Sequence, residues 1–203
     1  MQKILLLILG SVGLSVAAVA GPQTFDFKDP KGVNNVAFKL DAPLESISGT
    51  ASGISGTVTF DPEKAELSKG KITLATASLH VGNPTMKEHL HGDKWMDVTK
   101  HPEITFEFES LKSPVTADNQ TVGQATGTLT VRGVARKVTL PVKITYLKDK
   151  LQARLPQLKG DLLVLRSNFK IKRSDYGINP GNSEDKVSDE IDLSLSIAGQ
   201  SPR

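Results

Sequence analysis

Four histidines are the residues of this sequence whose chemistry first suggests a metal site or a metal-dependent enzyme. His80, His89, His91 and His101 fall within one short stretch of the chain. Imidazole nitrogens are common zinc ligands, and a zinc site needs three or four ligands that converge on one point. Whether these side chains can converge depends on the local structure that carries them.

Three of the four histidines lie in residues 83–102, a segment whose start has strong helix signals. Its first residue, an asparagine, is a good N-cap, and Pro84 suits the first helical position. The sequence therefore predicts a helix over residues 85–91. Residues two apart on a helix point about 200° apart, so His89 and His91 cannot face one ion. No metal site is predicted, and a His-based metal-dependent enzyme ranks last among the functions considered.

Other catalytic patterns are missing from the sequence. There is no Gly-x-Ser-x-Gly elbow, and the carboxylates are spread over positions that face outward from predicted strands. The glycine-rich stretch of residues 49–56 lacks the lysine and the following helix of a phosphate-binding loop. We therefore predict no catalytic residue and no enzyme activity.

An ion-rich turn at residues 172–177 directly follows an apolar strand. Arg173 and Asp175 could pair across this turn, with Gly177 supplying a positive φ. Alternatively, Arg173 could meet an anionic head group, since guanidinium suits phosphate. In this second interpretation Arg173, Asp175 and Tyr176 form the polar mouth of a binding site.

The rest of the sequence alternates apolar and polar residues with the period of a β-strand. About eight such runs, separated by turn residues, predict an all-β sandwich or barrel in one domain. In the run at residues 138–146 the apolar side chains fall on every second position. Pro141 lies on the opposite face, and its missing N–H suits a strand edge or a bulge better than a central ladder.

The sequence does not decide whether the interior of such a barrel is filled or holds a cavity. Residues 49–56 are small and are typical of bends where backbones approach closely, which leaves room inside. An eight-stranded barrel either fills itself with side chains or holds one small ligand. Aromatic residues are only 5% of the chain, so the inward stripes are mostly aliphatic. The pattern leaves both a solid core and a cavity for an elongated apolar ligand open.

The N-terminus and the composition indicate export. Lys3 precedes an apolar stretch that ends at Ala18-Val19-Ala20, which is a signal-peptide cleavage site of the A-x-A type. Residues 1–20 are thus predicted to be a signal peptide cleaved after Ala20, and the mature protein to be periplasmic or secreted. The stretch is broken by glycines and serines and is shorter than the ~20 residues of a spanning helix. The chain has no Cys and a formal charge of +3 without basic runs, which gives no argument for nucleic acid.

Spaced motifs along nearly the whole of residues 21–203 resemble the YceI-like family of exported lipid- or polyisoprenoid-binding proteins. In chain order they are Phe38 with residues 54–62, residues 86–90, residues 95–97 with 101–106, residues 127–134 and residues 173–178. The chain departs from the family pattern at Thr50, Ala51 and Ser52, where aromatics are common, and at Trp95-Met96, where two Phe are usual. These departures alter the cavity, so the ligand does not transfer with the resemblance.

The resemblance implies an eight-stranded antiparallel lipocalin-like barrel with one short helical insert. It also implies a long apolar tunnel that binds or carries an isoprenoid or another fatty amphiphile without catalysis. Sequestration of apolar small molecules such as antibiotics is the alternative. A barrel with a free edge could dimerise, but no residue argues for a particular oligomeric state. The predicted tunnel residues are Phe38, Phe60, Ile72, Leu74, Leu90, Trp95, Met96, Phe106, Phe108, Leu140 and Ile144.

Overall fold

The computed structural model describes residues 21–203, so the predicted signal peptide lies outside the described residues. Two α-helices occur in that range, α1 (Pro84–His91) and α2 (Leu151–Arg154), neither of them long enough to cross a membrane. The strands are β1 (Gln23–Asp26), β2 (Asn35–Asp41), β3 (Ser46–Ala51), β4 (Ile54–Phe60), β5 (Lys69–Ala75), β6 (His80–Val81), β7 (Glu103–Ala117), β8 (Gln120–Val131), β9 (Val134–Leu147), β10 (Gly160–Lys172) and β11 (Glu190–Pro202).

The strands form a closed antiparallel barrel. Strands β4, β5, β7, β8, β9, β10 and β11 pair in that order, and β1 closes the ring by pairing with both β4 and β11. Strand β2 pairs with β11 beyond β1, and β3 pairs with β2 and leads into β4. The ring therefore has eight positions, two of them each filled by two consecutive strands. The prediction of an eight-stranded antiparallel barrel with a short helical insert is confirmed.

Local sequence explains most of this architecture. Buried positions in β8 alternate from Thr121 onward through Ala125, Leu129 and Val131, as a strand with one core-facing side requires. The connection to β9 is the tight turn Arg132-Gly133, where both residues have positive φ (50° and 75°) as a type I′ hairpin turn demands.

Small residues allow close contacts in β3 and β4. A Cβ atom at Gly49 would collide with the ring of Phe38 and with the carbonyl of His80. Gly56 has a φ of 114° and lies against the carbonyl of Lys71. The predicted close approach of backbones at residues 49–56 is therefore present. The short strands β1, β3 and β6 and the helix α2 were not predicted, because their few residues show little apolar alternation.

One end of the barrel is closed by aromatic packing. The ring of Tyr146 meets Phe25 edge-on at 6.3 Å between centroids and Phe60 at 6.2 Å. Phe27 is fully buried in the same core, and α2, whose Leu151 is also fully buried, lies against β10 and β11. Phe60 therefore belongs to the plug of the closed end.

A buried carboxylate, that of Asp161, holds Arg203 at this closed end. Asp161 accepts hydrogen bonds from the hydroxyl of Tyr146 at 2.7 Å and from the backbone N–H of Asp149 at 2.8 Å, and it pairs with Arg203 at 2.6 Å. Burial acts to raise the pKa of Asp161. The hydrogen bonds from Asp149 and Tyr146 and the charge of Arg203 outweigh it, so the pKa lies below its ordinary value of 3.8.

Replacing this carboxylate should weaken the barrel in a pH-dependent way. Because the folded protein holds Asp161 ionised, its contribution is present above the unfolded pKa and is lost as the pH falls through the lower folded pKa. We expect Asp161→Asn to lower the free energy of unfolding by about 2 kcal/mol at pH 7, measured by urea denaturation between pH 7 and pH 2. The wild type and the variant should converge at the acid end.

The matched control is Asp149→Asn, which changes a carboxylate whose side chain is 69% exposed. Its effect should stay below about 0.5 kcal/mol. Equal losses in the two variants, or a pH-independent loss for Asp161→Asn, would contradict the role assigned to the buried carboxylate.

Candidate functional site

The barrel interior holds an apolar cavity of about 450 Å³. Its wall is built by inward-facing Val, Leu, Ile and Phe side chains from most of the strands. The cavity reaches the surface where exposed Glu45, His89 and Lys186 line it. These residues come from the β2–β3 turn, from α1 and from the loop of residues 173–189, and they define what we call the mouth. Of the two interiors that the sequence left open, the structure has the cavity.

Most of the predicted tunnel residues line this cavity. Phe60 does not, because its position in β4 places it in the aromatic plug at the closed end, so this prediction was wrong. Contact of the others with a ligand stays a prediction. The ten predicted residues in the cavity wall are Phe38, Ile72, Leu74, Leu90, Trp95, Met96, Phe106, Phe108, Leu140 and Ile144.

Several wall residues were missed by the sequence prediction. Ile47 and Ala51 line the cavity from β3, and Ala125 lines it from β8. Ala125 stands two positions before Gly127 on the same face as Leu129, so strand periodicity alone could have identified it. The rim residues Glu45 and Lys186 carry no such signal, because they lie in loops whose position depends on the tertiary fold.

Residues 83–102 form a cap over the mouth. The side chain of Asn83 accepts a hydrogen bond from the backbone N–H of Met86 at 3.0 Å, which is the N-cap that starts α1. After the helix the chain folds back, and the N–H of Met96 donates to the carbonyl of Leu90 at 3.1 Å. This return places Leu90, Trp95 and Met96 against the cavity.

The histidines point to different places. His91 lies within hydrogen-bond distance of the carbonyl of Leu79, at 2.8 Å from Nε2, while His89 lines the mouth. The ring of His101 lies against Gly133 in the β8–β9 turn. Within residues 21–203 no group of three or more metal-ligating side chains converges. The structure thus brings together none of the imidazoles that the sequence placed in one stretch.

Arg173 is buried beside the mouth, and backbone carbonyls satisfy it completely. A guanidinium carries five N–H donors. Nε donates to Ser188 at 3.2 Å, Nη1 to Ile178 at 3.0 Å and to Asn179, and Nη2 to Asn182 at 2.7 Å and Val187 at 3.2 Å. The charge also lies 5.6 Å from the centroid of the Trp95 ring, within cation–π range. No donor is left for a head group.

Of the three residues of the predicted polar mouth, Arg173 lines the cavity, whereas Asp175 and Tyr176 do not, so the prediction was wrong for those two. Arg173 does not pair with Asp175, whose side chain is exposed and whose backbone carbonyl accepts from Nε of Arg136 at 3.0 Å. Tyr176 is buried in the core and lies outside the cavity wall. Gly177 does adopt the predicted positive φ, at 65°. The turn is a structural element, as in the first of the two interpretations of the sequence, but Arg173 bonds backbone carbonyls and not Asp175.

The carboxylate whose pKa the charge of Arg173 lowers is that of Asp189, at the other end of the loop. It accepts hydrogen bonds from the backbone N–H and the hydroxyl of Ser174, at 2.9 and 2.8 Å. Burial acts to raise the pKa of Asp189, but these bonds and the charge of Arg173 lower it further than burial raises it. The two ends of the loop are thereby held together across the base of the mouth.

A closed antiparallel barrel with a plugged end, a capped mouth and an apolar interior defines a lipocalin-like binding protein. The family model for the YceI-like domain matches residues 25–198, and the chain belongs to that family. A UPF0312 protein of Azotobacter vinelandii is 30% identical over 74% of this chain and 72% of that protein. Another, of Ectopseudomonas mendocina, is 29% identical over 95% of this chain and 94% of its own.

Solved structures show the same fold. The YceI protein of Campylobacter jejuni is 29% identical, with a TM-score of 0.63 over 76% of this chain and 85% of that chain. Burkholderia cenocepacia BcnA is 24% identical, with a TM-score of 0.66 over 81% and 95% of the two chains. A polyisoprenoid binding domain from Saccharophagus degradans is 9% identical, with a TM-score of 0.64 over 89% and 99%. The last two support the fold alone.

Replacing Arg173 should test its structural role. Lysine offers three donors in place of five and no flat face toward Trp95, so Arg173→Lys leaves buried carbonyls unpaired. We expect a loss of about 3 kcal/mol in the free energy of unfolding, measured by chemical denaturation, together with a changed emission of Trp95, the only Trp of the chain.

Arg166→Lys is the control, because Arg166 is an exposed residue of β10, the strand that ends just before Arg173. It should change stability by less than about 0.5 kcal/mol. Matching effects of the two variants on stability and emission would overturn the structural role of Arg173.

Proposed function

We propose that the protein binds and carries an amphiphile with a long apolar chain, isoprenoid-like or fatty, without catalysis. The observation that carries this proposal is the cavity of about 450 Å³ with a wall of aliphatic and aromatic side chains. Its size falls within the ~300–1,000 Å³ of small-molecule sites. An apolar cavity without converging polar groups suits a hydrocarbon chain, since a polar ligand would leave its hydrogen bonds unmade there.

Burial of the chain supplies enough free energy for binding. At ~0.8 kcal/mol for each buried CH₂, a sixteen-carbon tail offers about 13 kcal/mol gross before the costs of ordering. This term depends on length and not on chemical identity. Specificity must then come from the length of the cavity and from the rim of the mouth.

The rim suits the polar end of an amphiphile. Glu45, His89, Ser183 and Lys186 line the cavity where it reaches the surface, and Glu45, His89 and Lys186 are exposed. Groups of both charge signs stand there in contact with water, where a head group would remain solvated. A domain of the same fold is described as polyisoprenoid binding, and we extend that kind of ligand to this cavity as part of the proposal.

A bound amphiphile should be recovered from the purified protein. We expect mass spectrometry of organic extracts to find a stoichiometric lipid with the wild type. Ala125→Phe places a ring in the cavity, because Ala125 is buried in its wall, and it should reduce the recovered lipid at least tenfold. Ala135→Phe adds the same ring on the exposed face of β9 and should leave recovery unchanged.

Overpacking at Ala125 costs about 1–3 kcal/mol, so a thermal melt must first show that the variant is folded. Absence of any lipid from wild-type protein made in several hosts would refute the carrier role. Competition between prenyl chains and rigid amphiphilic drugs for the same cavity separates the two binding functions. A clear preference for ring systems would favour sequestration of small molecules instead.

We also propose that the protein acts in the periplasm or outside the cell, on the strength of the sequence of residues 1–20. In that case, intact-mass analysis of the protein from the periplasmic fraction or the medium should give a chain that begins at Gly21. A cytoplasmic chain that retains residues 1–20 would contradict export.

A further inference from the structure

The barrel wall has a seam in which two neighbouring strands are not paired. Strands β9 and β10 pair only between residues 143–147 and 162–166. Toward the mouth, residues 134–142 of β9 still pair with β8, and residues 167–172 of β10 still pair with β11. Neither set pairs with the other. At ~3.3 Å per residue, the unpaired part of β10 is about 20 Å long.

Two residues mark the point where pairing stops. Pro141 has no backbone N–H, and it stands just beyond the last pair, Lys143 with Arg166. The carbonyl of Pro141 is bonded by the side-chain hydroxyl of Ser167 at 2.5 Å. Ser167 is the polar interruption of an otherwise apolar inward stripe in β10. A side-chain bond thus closes the foot of the seam where a ladder bond would continue a sheet.

The seam is continuous with the cavity and with the mouth. Leu140 and Val142 on the β9 side line the cavity, as do Phe169 and Ile171 on the β10 side. These four inward side chains are only partly buried, whereas Ile144, just inside the paired region, is 3% exposed. Above the seam lies the turn of residues 174–176, and within residues 21–203 no other strand pairs with either of the two edges there.

We propose that this seam is a side opening of the cavity, through which the apolar chain of the ligand enters and leaves. The inference rests on the proposed carrier function and adds the path by which the ligand enters the cavity. The mouth is covered by the cap of residues 83–102 and by the loop that Arg173 holds. A long chain that entered only there would have to thread lengthwise. An opening between two apolar edges lets the chain pass sideways while its head group stays at the rim.

Joining the two edges should slow the passage of the ligand. Thr139→Cys with Lys170→Cys places thiols on the exposed faces of the two edges, in a chain that has no other Cys. After cross-linking with a short bismaleimide, we expect uptake of pyrene-labelled hexadecanoic acid, followed through Trp95 emission, to slow at least tenfold. The control, Lys170→Cys with Asp192→Cys, joins residues already paired across β10 and β11. Its rate should not change.

The two proposals fail in different ways. Binding of the probe at equilibrium by the uncross-linked proteins tests the carrier function, and loss of that binding refutes both proposals. Normal equilibrium binding with an unchanged uptake rate in the cross-linked seam variant refutes the side opening alone. Slower uptake in both cross-linked variants also refutes it, because a general loss of flexibility then explains the result.

Hydrogen exchange of the unmodified protein is a second test of whether the seam is open. Amides of residues 137–142 and 167–172 that face the seam should exchange about a hundredfold faster than those of the paired residues 143–147 and 162–166. They should become protected when hexadecanoic acid is bound. Slow exchange along the seam in the free protein would show a sealed wall and overturn the proposal.

Discussion

The burial of the Arg173 guanidinium is the constraint on which the open end of the barrel depends. A charge without a directly paired carboxylate is tolerated inside a protein only when its hydrogen bonds are complete. Here carbonyls between Ile178 and Ser188 supply all of them, so the loop must wrap the side chain. The same charge faces the ring of Trp95 and thereby ties the loop to the cap. Loop, cap and cavity wall are thus one structure, and Arg132 adds to it by donating to the carbonyls of Gly177 and Asp93, each at 2.6 Å.

The two ends of the barrel differ: one is filled by aromatic side chains, and the other contains the apolar cavity. At the closed end, aromatic rings fill the interior, and the Asp161 network satisfies the polar groups behind them. This arrangement excludes both water and ligand. At the mouth, loops cross the end of the barrel, and Met, Leu and Trp side chains of the cap cover the apolar cavity. An aliphatic cavity needs no specific polar partners, because burial of hydrocarbon is not directional. In the proposed carrier function, the plug would limit the length of the chain that fits, and the rim would meet its head group.

Local signals were enough to predict the strands of a sandwich or barrel and the helix after Asn83, because alternation, capping and turn formation are properties of short segments. The closed barrel with a cavity, and with it the ten wall residues, was implied by the resemblance to the YceI-like family. The errors arose where a residue's role depends on distant parts of the chain. Asp175 is two residues from Arg173 and looks like its partner, yet the partners that the fold brings in are carbonyls up to Ser188. Phe60 ends a stripe of the right period, but the barrel closes before that stripe ends. The strand β3 was missed because its residues are small and mostly polar.

Pro141 shows how one local signal acquires a function only in the tertiary structure. In the sequence it argues that the strand has a free edge, whereas a closed barrel pairs every strand on both sides. The structure has both a closed barrel and a free strand edge at Pro141. Strand β9 is paired on both sides near the plug and on one side near the mouth. Exposed unpaired edges invite association with other chains. Here the edges turn inward-facing apolar residues toward the cavity and carry Lys137, Thr139 and Lys170 outward. Such charges oppose the addition of another strand, whereas a hydrocarbon chain needs no hydrogen bonds from the edge that it crosses.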